Sequence, residues 1–258
     1  MRGKTCSSPH FSSCTNRVPS LQIPAAPEKK HRAFEQRHLQ VSRSARYAMM
    51  GSLDADLSEV WIACHGHGQL ARRFLSRFLP LERADRLFIA PEALSRYYLS
   101  PPVGGPHPAG TPVGASWMTS EDREAEIQDY VRYLDLLHDE IFSIVDRAKV
   151  RLWVFGFSQG VATAARWVAH GNVDPDRVVL YAGVLPPELD AEGAARLARR
   201  SPLMIALGTS DEFARPELIA AQEARLLDLR VPHTTIRFDG GHEIIPEVLT
   251  RLTESTTR

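Results

Sequence analysis

Ser158 stands in the run Gly156, Phe157, Ser158, Gln159, Gly160, behind the apolar stretch Leu152 to Phe155 and ahead of Val161, Ala162, Ala164, Ala165 and Val168 at helical spacing. A GxSxG between a strand and a helix is the pattern of a nucleophile elbow. The turn is so sharp that a Cβ at either glycine would strike the neighbouring strand or helix, and the serine is left pointing off the carboxyl edge of the sheet. A serine hydroxyl is a weak nucleophile at neutral pH, so the pattern demands a base; histidine has a suitable proton affinity and needs a carboxylate to orient it. Behind such an elbow the chain order is serine, acid, histidine, each at the carboxyl end of a strand. His242 follows the last expected strand, whereas His233 precedes it and His170 closes the elbow helix, both at the wrong edge. Asp211 directly follows a strand, while Asp239, three residues before His242, better suits a turn. The expected set is therefore Ser158, Asp211 and His242, and its chemistry is acyl transfer through a covalent intermediate.

A second cluster, His65, Gly66, His67, Gly68 and Gln69, follows an apolar strand at Val60 to Cys64. A glycine-rich loop there brings backbone close to a substrate and supplies one amide of an oxyanion hole; the residue after the nucleophile, Gln159, supplies the other. His65 and His67 also form an HxH pair, but with no Cys, Asp or Glu partner nearby it does not make a metal set, and no metal site is expected.

The elements that must hold these groups follow from periodicity. Strands are expected at 44–50, 60–64, 87–90, 152–155, 178–181, 203–207 and 234–238, the first two as an antiparallel edge pair. Helices are expected over 70–79, stopped by Pro80; over 127–145, with Thr119 and Asp122 as a capping pair; after the elbow; over 216–229; and from Pro246 onward. Alternating strands and helices predict an α/β fold with a mainly parallel central sheet of about seven strands, covered on both faces. Residues 91–118, with six prolines and no periodicity, read as a long loop after a strand's carboxyl end, a substrate-facing flap. Its aromatics Tyr97, Tyr98 and Trp117 either bind substrate or anchor the flap to the body.

The whole chain of 258 residues suits one sizeable domain plus a tail. Residues 1–37 are rich in Ser, Pro, Arg and Lys and read as a disordered basic extension before a domain over 38–258; residues 1–46 hold nine basic and two acidic side chains. Overall, 31 basic and 31 acidic residues cancel, which gives no reason to expect a nucleic acid partner. Three scattered cysteines and the absence of a signal core or a span-length apolar run point to a reducing, cytoplasmic setting without stable membrane insertion. Monomer and homodimer stay equally open.

From about residue 38 onward the chain resembles the phospholipase/carboxylesterase family of α/β hydrolases, which includes acyl-protein thioesterases. The resemblance is carried by HGHG at 65–68, SWM at 116–118, GFSQG at 156–160, GTSDEF at 208–213 and GGHEI at 241–245, with the glutamine after the serine the specific mark. It implies an α/β-hydrolase fold, Ser158 as nucleophile with Asp211 and His242, and the amides of His67 and Gln159 as the oxyanion hole. It also implies hydrolysis of a small-molecule carboxylic ester, a thioester or a lysophospholipid, without a cofactor. The chain departs from the family pattern at Val161, where a small residue is common, at His67, where an apolar residue is commoner, and in the length of 91–118. The triad does not itself choose an acyl substrate, so a peptidase or a polyester depolymerase is the alternative on the same fold. A non-catalytic hydrolase-fold binding protein is the alternative from another class.

Overall fold

A computed structural model describes residues 35–254. The chain divides into two units, Met1–Ser42 and Arg43–Arg258, and all regular elements belong to the second. The expected disorder of 1–37 falls almost wholly outside the described residues.

Seven strands form the central sheet: β1 (Tyr47–Met50), β2 (Glu59–Cys64), β3 (Arg86–Pro91), β6 (Arg151–Phe157), β7 (Arg177–Tyr181), β8 (Leu203–Gly208) and β9 (His233–Phe238), in the order β1-β3-β2-β6-β7-β8-β9. All pairings are parallel except β1 with β3. The expected edge pair of the first two strands is therefore corrected: β1 runs antiparallel to β3, with Tyr47 opposite Pro91, and β2 lies inside the sheet between β3 and β6. The reason is burial. Every residue of β2 is buried, as a strand flanked on both sides and covered on both faces must be, whereas β1 is half-exposed and suits an edge.

Alternation divides each strand's side chains between two layers. Val60, Ile62, Cys64, Leu152, Val154, Val178, Leu180, Leu203 and Ile205 face one side, aliphatic apart from the cysteine thiol, and pack under α2 (Arg123–Phe142), α3 (Gln159–His170), α4 (Ala191–Leu197) and α5 (Pro216–Asp228). Trp61, Phe88, Trp153, Phe155, Phe157, Tyr181 and Phe238 face the other, covered by α1 (Ala71–Leu75), the 3-10 turn Ser76–Leu81 and α6 (Pro246–Glu254). Two short helices cover less area than four, and the aromatic rings supply the missing volume. Trp61 and Trp153, neighbours across β2 and β6, stack with centroids 4.2 Å apart.

Three local expectations change. The helix expected over 70–79 is a single α-helical turn that tightens into 3-10 geometry, with Pro80 inside the tightened stretch. Asp122 stands at the N-cap of α2 with φ 51° and does not cap it with its side chain. Thr119 Oγ1 instead accepts from the Glu121 amide at 3.2 Å, and Glu126 accepts from the Thr119 amide at 2.6 Å. Residues 91–118 are not a bare loop: they contain an antiparallel hairpin, β4 (Ser95–Tyr98) with β5 (Val113–Ser116). Among the described residues no helix is long and apolar enough to cross a membrane.

An ion pair between a buried arginine and a half-exposed glutamate ties the helical layer together. Arg166 of α3, 6% exposed, meets Glu188 at 2.6 Å and gives hydrogen bonds to Tyr130 Oη and Met118 Sδ, each at 3.3 Å, while Glu188 also receives Arg123 at 2.7 Å. Burial alone would raise the Glu188 pKa, but the hydrogen bond and charge of Arg166, a backbone hydrogen bond and the hydrogen bond from Arg123 together outweigh it and hold the carboxyl at about 2. A depressed carboxylate contributes stability above its unfolded value near 4.5 and loses it as pH falls toward 2. Denaturation of Glu188→Gln beside the wild type should show a difference of roughly 1 kcal/mol at pH 6, discounted for the solvent screening of a half-exposed carboxyl, that vanishes by about pH 2. A difference that does not change with acid would remove the pair from the stability of this layer.

Candidate active site

The elbow is built by close approach. β6 ends at Phe157, α3 begins at Gln159, and Ser158 between them has φ 55° and ψ −119°, a conformation that side chains rarely adopt. A methyl at Gly156 would overlap the Gly160 carbonyl, and one at Gly160 would overlap the carbonyl of Cys64 at the end of β2. Ladder geometry continues into the turn: the Ser158 amide donates to Tyr181 O at 3.0 Å, and the Val161 amide donates to Ser158 O at 2.9 Å. Those bonds hold the strained residue and leave its side chain half-buried.

The structure brings Ser158, His242 and Asp211 together. Ser158 Oγ lies 2.8 Å from His242 Nε2, and His242 Nδ1 lies 2.9 and 3.0 Å from the two carboxylate oxygens of Asp211. The Asp211 side chain is fully buried, and it accepts a further bond from the Phe213 amide at 2.9 Å. A carboxylate bonded on that side keeps the Nδ1 proton in place and leaves Nε2 free to accept the serine proton. The loops that carry acid and base are joined to each other: the Ser210 amide donates to Gly240 O at 3.0 Å and the Thr209 amide to Phe238 O at 2.9 Å. Tyr181 steadies the base from behind, its hydroxyl accepting from the Ile245 amide at 3.1 Å, and burial pushes its pKa up to about 12, so it stays a neutral phenol.

Beside the nucleophile runs the loop 65–69. A methyl at Gly66 would sit 3.1 Å from Ser158 Cβ, which measures how near this backbone passes. Gln69 turns its side chain back to accept from the Gly66 amide at 2.9 Å, and the Gly68 amide donates to Ala115 O at 2.8 Å. The amides of His67 and Gln159 have no acceptor among the described residues. Unpaired amides beside a nucleophile can stabilise a developing oxyanion.

The two histidines of the loop make different contacts. His65 is buried, accepts from the Ala93 amide at Nε2 (3.1 Å) and donates from Nδ1 to Gly66 O (2.7 Å), and burial lowers its pKa. Among the described residues no group of three His, Cys, Asp or Glu side chains is placed to hold a metal ion. His67 instead joins a chain of donors. Tyr97 Oη meets its Nε2 at 2.6 Å, so Nδ1 carries the proton toward Ser116 Oγ at 3.3 Å, and Ser116 Oγ donates to Met118 O at 2.9 Å. Gln159 closes the chain from the elbow side, giving its amide protons to Ser116 Oγ at 3.1 Å and Met118 O at 2.8 Å and accepting from the Trp117 amide at 3.1 Å.

The hairpin β4–β5 is thus a brace for this loop. Its backbone joins the loop through Gln69 and Ala115, and the approach is tight enough that a methyl at Gly114 would lie 2.7 Å from Gly68 Cα. The three aromatics expected at the flap fall in three different places. Trp117 is 2% exposed and donates from its indole to His65 O at 2.8 Å, which anchors this end of the segment to the body. Tyr97 grips His67, and Tyr98, on the opposite side of β4, stacks on His107 inside the hairpin loop at 3.8 Å. Phe213, for which the sequence reading gave no separate role, is 65% exposed with its ring 4.6 Å from that of His242. Ser116, Gln69 and Tyr181 were also missed as site residues; nothing in their immediate spacing distinguishes them from ordinary polar or core positions.

No protein-family model matches the chain, and no curated protein matches it in sequence. Solved structures do. Acyl-protein thioesterase 2 of Zea mays aligns with a TM-score of 0.61 at 20% identity, covering 83% of this chain and 98% of that one. The carboxylesterase of Bacillus cereus aligns at 0.58 and 15%, covering 82% and 92%. A phospholipase/carboxylesterase of Dyadobacter fermentans aligns at 0.56 and 14%, covering 84% and 98%. This chain has the α/β-hydrolase fold.

If the brace sets the loop, Gly114→Ala should leave the protein folded but slow the labelling of Ser158 by a fluorophosphonate by about 10-fold, because a displaced amide loses oxyanion stabilisation. Tyr97→Phe, which removes only the grip on His67, should slow it less. Labelling of both variants at the wild-type rate would leave the hairpin without influence on the site.

Proposed function

We propose that the chain is a serine hydrolase of the phospholipase/carboxylesterase type, cleaving small carboxylic esters or thioesters in the cytoplasm without a cofactor. The observation that carries this reading is the unbroken line of hydrogen bonds from Ser158 Oγ through His242 to the buried Asp211. The motif set at 65–68, 116–118, 156–160, 208–213 and 241–245 supports it, as does the likeness in fold to esterase and thioesterase structures.

In the proposed cycle Ser158 Oγ attacks the carbonyl carbon while its proton passes to His242 Nε2. Asp211 stabilises the imidazolium that forms, and the amides of His67 and Gln159 hold the oxyanion of the tetrahedral intermediate. Collapse breaks the bond to the alcohol or thiol, which leaves with the proton from His242. Water then attacks the acyl-serine, giving its proton to the same nitrogen, and the acid departs with Ser158 restored. Two exposed apolar side chains lie close by: Phe213 against His242, and Leu99, 47% exposed, whose Cδ2 would be 3.4 Å from a methyl at Gly68. Apolar groups at the mouth suit a substrate with a hydrocarbon part, a lysophospholipid included.

Turnover of p-nitrophenyl esters from acetate to decanoate, measured beside fluorophosphonate labelling, tests the proposal. Ser158→Ala should abolish labelling and lower kcat by roughly 10³ to 10⁶. Phe213→Ala should reduce the preference for longer chains with little change on acetate. Turnover that survives Ser158→Ala, or a folded wild type that neither labels nor turns over, would overturn the assignment.

A further inference from the structure

The edge of the sheet opposite Ser158 carries a cluster that the chemistry above does not use. β6 opens with Arg151 and β7 with Arg177, and the parallel register sets Trp153 directly beside Arg177. Side chains alternate along a strand, so Arg151, Trp153 and Arg177 belong to one face. Trp153 Nε1 and Arg177 Nε are both buried, and neither has an acceptor among the described residues. Buried donors without acceptors are uncommon and costly, and here two of them are register partners. Arg177 also lines a cleft of about 490 Å³ together with Ser58, Lys149, Arg151, Asp176 and Arg200.

The charges of this cleft do not cancel. Its carboxylate, Asp176, is saturated by the Leu152 amide at 2.8 Å, Arg147 at 2.9 Å and Arg200 at 3.2 Å. Arg151 reaches Glu59 only at 3.5 Å, and Glu59 is already held by Arg86 at 2.7 Å and by the Trp61 indole at 3.2 Å. Lys149 lies 3.8 Å from Asp146 with 77% of its side chain exposed. Arg177 makes no ion pair among the described residues, and its one hydrogen bond goes to Asp176 O at 3.3 Å. Burial, then the neighbouring Arg151 cation, pull its pKa down, and the nearby Asp176 carboxylate only partly opposes them.

We propose that this cleft is an anion site, taking a compact phosphate-type group through Arg177, Arg151 and Lys149. A phosphate dianion presents several acceptor oxygens and two negative charges, which matches under-neutralised cations with fork geometry. The group belongs either to a free phosphorylated small molecule or to a phospholipid headgroup. Either would stabilise the folded chain by binding it and not the unfolded one.

The test is thermal unfolding of the full chain titrated with inorganic phosphate and with pyrophosphate, against sodium chloride at matched ionic strength. The wild type should show a saturable rise in Tm of about 2–4 °C with pyrophosphate. Arg177→Met removes the uncompensated cation, so it should melt at or above the wild-type temperature without ligand and respond to neither anion. Arg151→Gln, at a half-exposed side chain, keeps the fold and should weaken the response by about 10-fold in concentration. A rise that chloride reproduces, an equal rise in Arg177→Met, or no rise in the wild type would overturn the proposal, as would an Arg177→Met that melts lower and still responds. Sedimentation with phosphatidic acid vesicles, against phosphatidylcholine alone, separates the two sources. Pelleting that depends on Arg177 identifies a headgroup, and phosphate binding without pelleting identifies a free phosphorylated ligand.

Discussion

The tightest constraint in the molecule is the passage of the first turn of α3 across the end of β2, where Gly160 meets the carbonyl of Cys64 with no space for a side chain. That approach forces β2 and β6 to be neighbours, because only adjacent strands bring the end of one under the helix that follows the other. It also decides what lies beside the nucleophile: the residues after Cys64 emerge next to Ser158 and can go nowhere else. The positive φ of Ser158 costs on the order of 1–3 kcal/mol, and it persists because two backbone hydrogen bonds and a strand buried from Leu152 onward over-determine it. Strain and positioning here are one fact. A relaxed turn would bury the hydroxyl in the ladder or swing it away from His242.

The elements around this point were legible in the sequence to the extent that they are long or strongly patterned. The elbow strand, the strands behind it and α2, α3 and α5 announce themselves by apolar runs and helical spacing, and a place directly after a strand put Asp211 ahead of Asp239 as the partner of His242. Where the reading failed, the signal was short or non-local. β4 and β5 have four residues each within a proline-rich stretch, so two alternations in each do not rise above loop composition. The place of β1 in the sheet is a choice between two apolar neighbours, and nothing within 44–64 records that β3, some 40 residues later, is the better partner. Trp117 looks the same in a sequence whether it lines a mouth or fills a core. Only the indole bond to His65 O distinguishes the two.

The hairpin changes how the departure at His67 reads. An apolar side chain at that position has nothing to offer a neighbouring hydroxyl, whereas an imidazole with one accepting and one donating nitrogen links Tyr97 to Ser116 and, through Ser116, to the side chain of Gln159. Gln159 ties two segments together. Its backbone follows Ser158 directly while its side chain holds the 116–118 segment, so the elbow and the brace cannot shift independently. A long insertion tied back at both its backbone and its side chains costs less entropy in the assembled site than a free flap of the same length.

The two edges of the sheet solve different electrostatic problems. At the carboxyl edge the groups that would meet the oxyanion of the proposed cycle are backbone amides, and the standing carboxylate there, Asp211, is fully buried and answered by His242 and the Phe213 amide. Preorganised dipoles suit that task because they need not be neutralised when no charge is present. At the amino edge the groups are full charges, Arg147, Arg151, Arg177 and Arg200 against Asp176 and Glu59, and full charges must be answered continuously or they weaken the fold. Most are answered by carboxylates within the chain. Arg177 is not, and its position between a buried tryptophan and a second arginine gives it no route to solvent for its Nε. With that nitrogen closed off, anything that enters the cleft can meet the Arg177 guanidinium only at its terminal nitrogens.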